Sequence, residues 1–194
     1  MTSEISRFAV PAREQLPPDL QERISQVEEK TGFVPNIFMA LAHRPDEWRA
    51  FFAYHDALMD KETPALSKGD RELIVVATSA ANNCLYCVVA HGAIARIRAR
   101  NPRIADQVAT DWRKAELDQR QRAVLEFAVR LAVEPWTVLP EHFEPLRGHG
   151  LTDDDIWDVG AIAALFAMSN RLVHLAGTMP NDDFYLMGRV PKKS

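Results

Sequence analysis

Cysteine is scarce in this chain of 194 residues: there are two, Cys84 and Cys87. A pair cannot make a disulfide scaffold, and the opening Met1-Thr2-Ser3-Glu4-Ile5-Ser6 lacks the apolar core of a signal peptide, so the reducing cytoplasm is the expected compartment. Basic charge is not in excess either. With 23 Lys and Arg against 27 Asp and Glu, the net charge of −4 argues against nucleic acid as a partner. The one basic run, Arg96, Arg98, Arg100 and Arg103, reads as the solvated end of a helix whose C-terminal dipole favours cations. No stretch approaches the roughly eighteen consecutive apolar residues of a membrane span, because Glu72, Asn82, Asp158 and Asn170 interrupt the longest apolar helices. Strand signals are nearly absent as well, which leaves an all-α class.

What is there is helical periodicity with identifiable starts. The 47% of hydrophobic residues is enough for a core in a single domain spanning 1–194, with an irregular N-terminal arm. Pro17-Pro18-Asp19 opens a helix running to about Lys30, Thr31-Gly32 stops it, and Pro35-Asn36 opens a short one. Pro45 starts a helix in which Trp48, Phe51, Phe52, His55, Leu58 and Met59 form a core stripe, with His55 read first as a hydrogen-bonded core histidine and second as part of the site's wall. Ser67 is the expected N-cap of a helix to Ala81, with Asp70 in its first turn, and Thr152-Asp153-Asp154-Asp155 repeats that cap before the helix from Ile156 to Asn170. This echo suggests two related units, a catalytic helix pair at about 67–99 and a second unit at about 118–172. The tail from Pro180 to Ser194 reads as an extended arm that wraps a neighbouring subunit.

Both cysteines fall in Cys84-Leu85-Tyr86-Cys87-Val88-Val89-Ala90-His91, a C-x-x-C-x-x-x-H spacing. On a helix at roughly 100° per residue the three side chains lie within about 60° of one another, and Cα atoms three apart, about 5 Å, allow a disulfide. Asn82-Asn83 marks a break, with Asn83 as N-cap of the second helix and Cys84 in its first turn, where the helix dipole favours a thiolate. Glu72 heads an apolar run, and buried it needs a partner; His91 is the candidate if the break folds the second helix back. In one continuous rod Glu72 would lie about 18 Å from Cys84 along the axis. The pair is open to three readings: apolar packing, a zinc site short of a fourth ligand unless Glu72 serves, and redox catalysis, which the bridgeable spacing favours.

The pattern Glu72, Cys84, Cys87, His91 resembles the E-x11-C-x-x-C-x-x-x-H of AhpD-like alkylhydroperoxidases in the carboxymuconolactone decarboxylase superfamily. Thr31-Gly32-Phe33-Val34-Pro35-Asn36, Leu41-Ala42-His43-Arg44-Pro45 and Ser169-Asn170-Arg171-Leu172 resemble its peroxidase-related branch, so the likeness covers most of the chain. It implies an all-helical AhpD-like fold of two related units, trimers or hexamers, and reduction of hydroperoxides by the cysteines without haem, flavin or metal. By position, Cys87 would be the peroxidatic cysteine, Cys84 the proton donor and resolving thiol, and Glu72 with His91 the relay that deprotonates Cys87. Tyr86 stands where characterised relatives often carry a histidine, and a tyrosine cannot act as a base near neutral pH.

The cycle implied runs from thiolate to sulfenic acid to disulfide, reset by an outside dithiol: a thioredoxin-like protein, a lipoyl-bearing protein or a small thiol. Two rivals stand beside it. One is decarboxylation or isomerisation of a lactone-like substrate by Glu72 and His91; the other is a non-enzymatic redox-sensing or metal-binding oligomer. His142, His149, His174 and Trp157 are assigned packing or surface roles.

Overall fold

The computed structural model describes residues 5–189, and among these there are helices and turns but no strand. The α-helices are α1 (Pro18–Thr31), α2 (Asn36–Ala40), α3 (Pro45–Met59), α4 (Lys68–Ala81), α5 (Leu85–Arg98), α6 (Ile104–Asp111), α7 (Gln119–Val133), α8 (Glu144–Gly148), α9 (Asp153–Ala176) and α10 (Asp183–Leu186). The all-α class read from the sequence holds. Residues 1–4 of the expected N-terminal arm and 190–194 of the tail lie outside the described residues.

Helix α4 is the axis of the molecule, packed against α5, α6, α7 and α9, and every residue from Asp70 to Ser79 is buried. Enclosure on all sides explains its continuous apolar run, since no face needs to be polar. Burying Leu73, Ile74, Val75 and Val76 contributes about 1.5–3 kcal/mol each. A satellite core of Leu16, Leu20, Ile24, Phe38, Trp48 and Phe52 joins α1, α2 and α3, and the Trp48 indole N–H donates to the Phe38 carbonyl at 2.9 Å.

The caps of α4 and α9 match closely. Ser67 Oγ accepts from the Asp70 amide at 3.1 Å while Asp70 Oδ2 accepts from the Ser67 amide at 2.9 Å. Thr152 and Asp155 repeat this reciprocal pair at 3.1 and 2.9 Å. Helix α9 is long and apolar enough to cross a membrane by length and composition, yet half of its apolar window is buried in the protein, against α4 and α7. It also buries Asp158, which accepts from Arg71 Nη2 at 2.9 Å and from Lys61 Nζ at 2.7 Å.

Two expectations need correction. The tail is not an extended arm throughout, because Asp183–Leu186 is helical and Phe184 is buried edge-on against Phe33 at 4.9 Å. The basic run at the end of α5 is not simply solvated, because Arg96 is 4% exposed and donates to the carbonyls of Met187 and Phe184, both at 2.8 Å. These carbonyls close a short helix and have no partner inside it, so a buried guanidinium satisfies them. The N-terminal arm is tied down similarly: the Arg7 amide donates to the Ala176 carbonyl at 2.7 Å, and its guanidinium to that of His174 at 3.0 Å.

Candidate active site

The site is built on the junction between α4 and α5. Asn83 is left-handed, with φ +54°. Its amide donates to the Ala80 carbonyl at 3.0 Å, and the Cys84 amide donates to the Ser79 carbonyl at 2.9 Å. These two bonds are a Schellman motif with asparagine at the left-handed position, which asparagine tolerates better than most residues. Asn83 therefore ends α4 and does not cap α5. Cys84 is the N-cap, its carbonyl accepting from the Val88 amide at 3.0 Å.

Because the junction is this tight, α5 runs back along α4. A methyl group on Gly69 would approach the backbone of Arg98 and Ala99 at 3.8 Å, so the end of α5 lies at the start of α4. The fold-back brings His91 to Glu72, with Nδ1 2.8 Å from Oε2. It also brings Arg98, which the sequence reading left in solvent, to the other carboxylate oxygen at 2.9 Å. Glu72 is 2% exposed, so the guanidinium answers the cost of burying its charge.

Both thiols are free and buried, Cys84 fully and Cys87 to 2% exposure. The hydrogen bond that Cys87 donates pulls the Cys84 thiol down to about 7, against the opposing effect of burial. The Cys87 amide, the charge of His174 and the Asn170 side chain add to this. Cys87 moves the other way, raised by the bond it gives to Cys84 and then by burial. The reduced pair thus holds its stable thiolate on Cys84. His91 sits one turn beyond Cys87 on α5, and among the described residues no hydrogen bond joins it to either sulfur.

Asn170 of α9, 1% exposed, closes the back of the junction. Its carbonyl oxygen accepts from Asn82 Nδ2 at 3.0 Å, and its amide donates to Ser79 Oγ at 3.0 Å. The same side chain draws both thiols down. Ser169 adds a hydrogen bond that lowers Cys87. Arg98, Asn170, Ser169 and Ser79 were missed as site residues. The visible signal was an asparagine in an otherwise small and apolar helix, read as an interruption and as part of the Ser169-Asn170-Arg171-Leu172 likeness but not as a site residue.

Tyr86 points away from the chemistry. Its hydroxyl oxygen accepts from the Ile37 amide at 3.3 Å, its ring lies near Phe184, and burial pushes its phenol well up. His55, read first as a core histidine, lines the site, with its ring 6.1 Å from that of His91. His174 Nε2 lies 3.2 Å from the Asn82 carbonyl, whereas His142 Nδ1 accepts from the Leu139 amide in a distant turn. No cluster of three or more His, Cys, Asp or Glu among the described residues is arranged to hold a metal. A cleft of about 470 Å³ lined by Trp112, Arg122, Glu126 and Arg130 contains none of these residues.

Residues 45–110, which carry α3 to α6 and all four sequence-predicted site residues, match the carboxymuconolactone decarboxylase family. No curated protein sequence matches the chain. Among solved structures, the alkylhydroperoxidase AhpD core protein of Ralstonia eutropha JMP134, described as an uncharacterized peroxidase-related protein, is 58% identical. The match covers 97% of this chain and 98% of that one, with a TM-score of 0.94. An uncharacterized peroxidase-related protein of Silicibacter sp. TM1040 is 35% identical over 96% of this chain and 97% of its own, with a TM-score of 0.90. The debrominase Bmp8, as a variant in complex with 2,3,4-tribromopyrrole, shares the fold at 21% identity and a TM-score of 0.73, covering 96% of each chain. The chain belongs to the carboxymuconolactone decarboxylase family, in its AhpD-like, peroxidase-related group.

Proposed function

We propose that this protein is a thiol-dependent peroxidase that reduces hydroperoxides through Cys84 and Cys87. The observation that carries the reading is the pair of free, buried thiols three residues apart at the start of α5, one turn before an imidazole held by a buried carboxylate. His91, oriented by Glu72 and through it by Arg98, takes one proton from the pair, leaving the charge on Cys84. The Cys87 proton then passes to Cys84, and Cys87 attacks the distal peroxide oxygen. The S–O bond forms as the O–O bond breaks, sulfur losing two electrons to the departing alkoxide, which takes the proton from His91. Cys84 attacks the resulting sulfenic acid, releasing water and closing the disulfide, and an outside dithiol resets the pair.

Titration of reduced protein with excess cumene hydroperoxide tests this. Loss of two thiols per chain is expected, and Cys87→Ser should abolish peroxide consumption. Retention of both thiols under excess peroxide refutes it. Self-association, which the family resemblance implies, would cover the exposed stripe of α9 formed by Trp157 (75% exposed), Met168 and Leu175. A mass measurement in solution decides that point.

A further inference from the structure

The arginine–carboxylate–histidine arrangement on α5 has a counterpart on α3. His55 Nδ1 lies 3.1 Å from Asp56 Oδ1, and Arg23 of α1 reaches Asp56 Oδ2 at 2.6 Å. The order Arg23, Asp56, His55 repeats the order Arg98, Glu72, His91. Both rings converge on Phe166 of α9, His91 at 4.7 Å and His55 at 6.3 Å, and lie 6.1 Å from each other. Neither is sealed off: the His55 side chain is 26% exposed and that of His91 13%.

The tautomer of the neutral His55 ring follows from its partner. Burial opposes the charge on Asp56, but the bonds from His55 and Arg23 outweigh it and hold the carboxyl below its ordinary value. An ionised carboxylate only accepts, so Nδ1 carries a proton, and in the neutral ring Nε2 is the acceptor. No hydrogen bond among the described residues uses that Nε2. A partly exposed imidazole acceptor, fixed in orientation and facing the proposed relay histidine across an aromatic floor, has the makings of a substrate contact.

We infer that His55 is a substrate-binding residue: its Nε2 accepts the O–H of an organic hydroperoxide that enters between the partly exposed His55 and His91 rings. This deepens the peroxidase reading and rests on it. Holding that hydrogen fixes the distal oxygen for attack by Cys87, while the alkoxide leaves towards protonated His91. Sulfur gains the distal oxygen, the O–O bond breaks, and the alkoxide becomes an alcohol with the His91 proton. His55 gains and loses nothing; it positions.

The test is single-turnover consumption of cumene hydroperoxide by the reduced wild-type protein and its His55→Leu and His55→Gln variants, beside alkylation by iodoacetamide, which has no O–H to hold. His55→Leu is expected to lower the peroxide rate about tenfold, the worth of roughly one hydrogen bond. His55→Gln should recover part of it, since its side-chain oxygen can accept, and alkylation should be unchanged in both. A His55→Leu variant that consumes peroxide at the wild-type rate, or whose peroxide and alkylation rates fall together, overturns the inference alone. A wild-type protein that alkylates but does not react with peroxide overturns the peroxidase reading and the inference with it.

Discussion

Arg98 at the end of α5 and Glu72 near the start of α4 form an ion pair at 2.9 Å, on the carboxylate oxygen that His91 leaves free. Each partner of Glu72 thus has its own oxygen. Arg98→Met keeps the apolar stem and removes the fork, leaving a buried carboxylate with the imidazole alone. Peroxide turnover is expected to fall about tenfold or more, consistent with the roughly 1.5–3 kcal/mol of a hydrogen bond to a charged group. Steady-state kinetics checks this, and Arg98→Lys should restore less than half of the loss because lysine presents a point charge without the fork.

The Cys84 thiol should titrate near pH 7 when followed by thiolate absorbance, because Cys87 donates to it. Cys87→Ala removes that donor, so the midpoint should move up towards about 8.5, the value of an unperturbed thiol. Stability follows by linkage. The unfolded chain holds the Cys84 proton between pH 7 and about 8.5 while the folded one does not, so the Cys84 contribution grows with pH there and is lost as pH falls through 7. Cys87, raised in the folded state, acts with the opposite sign above about 8.5. Denaturant midpoints of the reduced protein across this range measure both.

Asp158→Ala should cost about 3–5 kcal/mol, since it leaves Arg71, with no exposed surface, as an uncompensated buried charge. Urea unfolding with an unchanged slope is the check. The Arg71 bond to the Leu58 carbonyl, at 2.9 Å, survives the change and keeps the loss from being larger.

Phe184→Ala should release the C-terminal segment from α5. Truncating this buried ring costs about 3–5 kcal/mol, and limited proteolysis should cut after Pro180 in the variant before it cuts the wild type.

Much of this site was legible because helical spacing is a strict ruler. The Cys84, Cys87 and His91 spacing, the Ser67 cap and the apolar run after Glu72 each follow from local geometry, and the fold-back hinged on one break that Asn82-Asn83 announces. What was not legible depends on partners distant in sequence. Asn83 was read as an N-cap because asparagine suits both a cap and a left-handed turn, and only the bonds to Ser79 and Ala80 decide between them. Arg96 and Arg98 looked solvated because a charge run shows sign but not destination, and one meets the tail while the other meets Glu72. His55 sits in a hydrophobic stripe, where nothing local tells a packed imidazole from one that faces another across a shared aromatic ring.

Cys84 closes the hydrogen-bonding of one helix and begins that of the next, so no spare residue separates α4 from α5. An inserted residue there would rotate α5 as a unit and carry His91 and Arg98 away from Glu72, and a deleted one would forbid the turn. The hinge of the reactive pair is in this sense a fixed-length hyphen. Adaptation to a new substrate in such a scaffold has to come from what leans over the pair, the surfaces of α3 and α9, because the segment that holds the sulfurs has no room to vary.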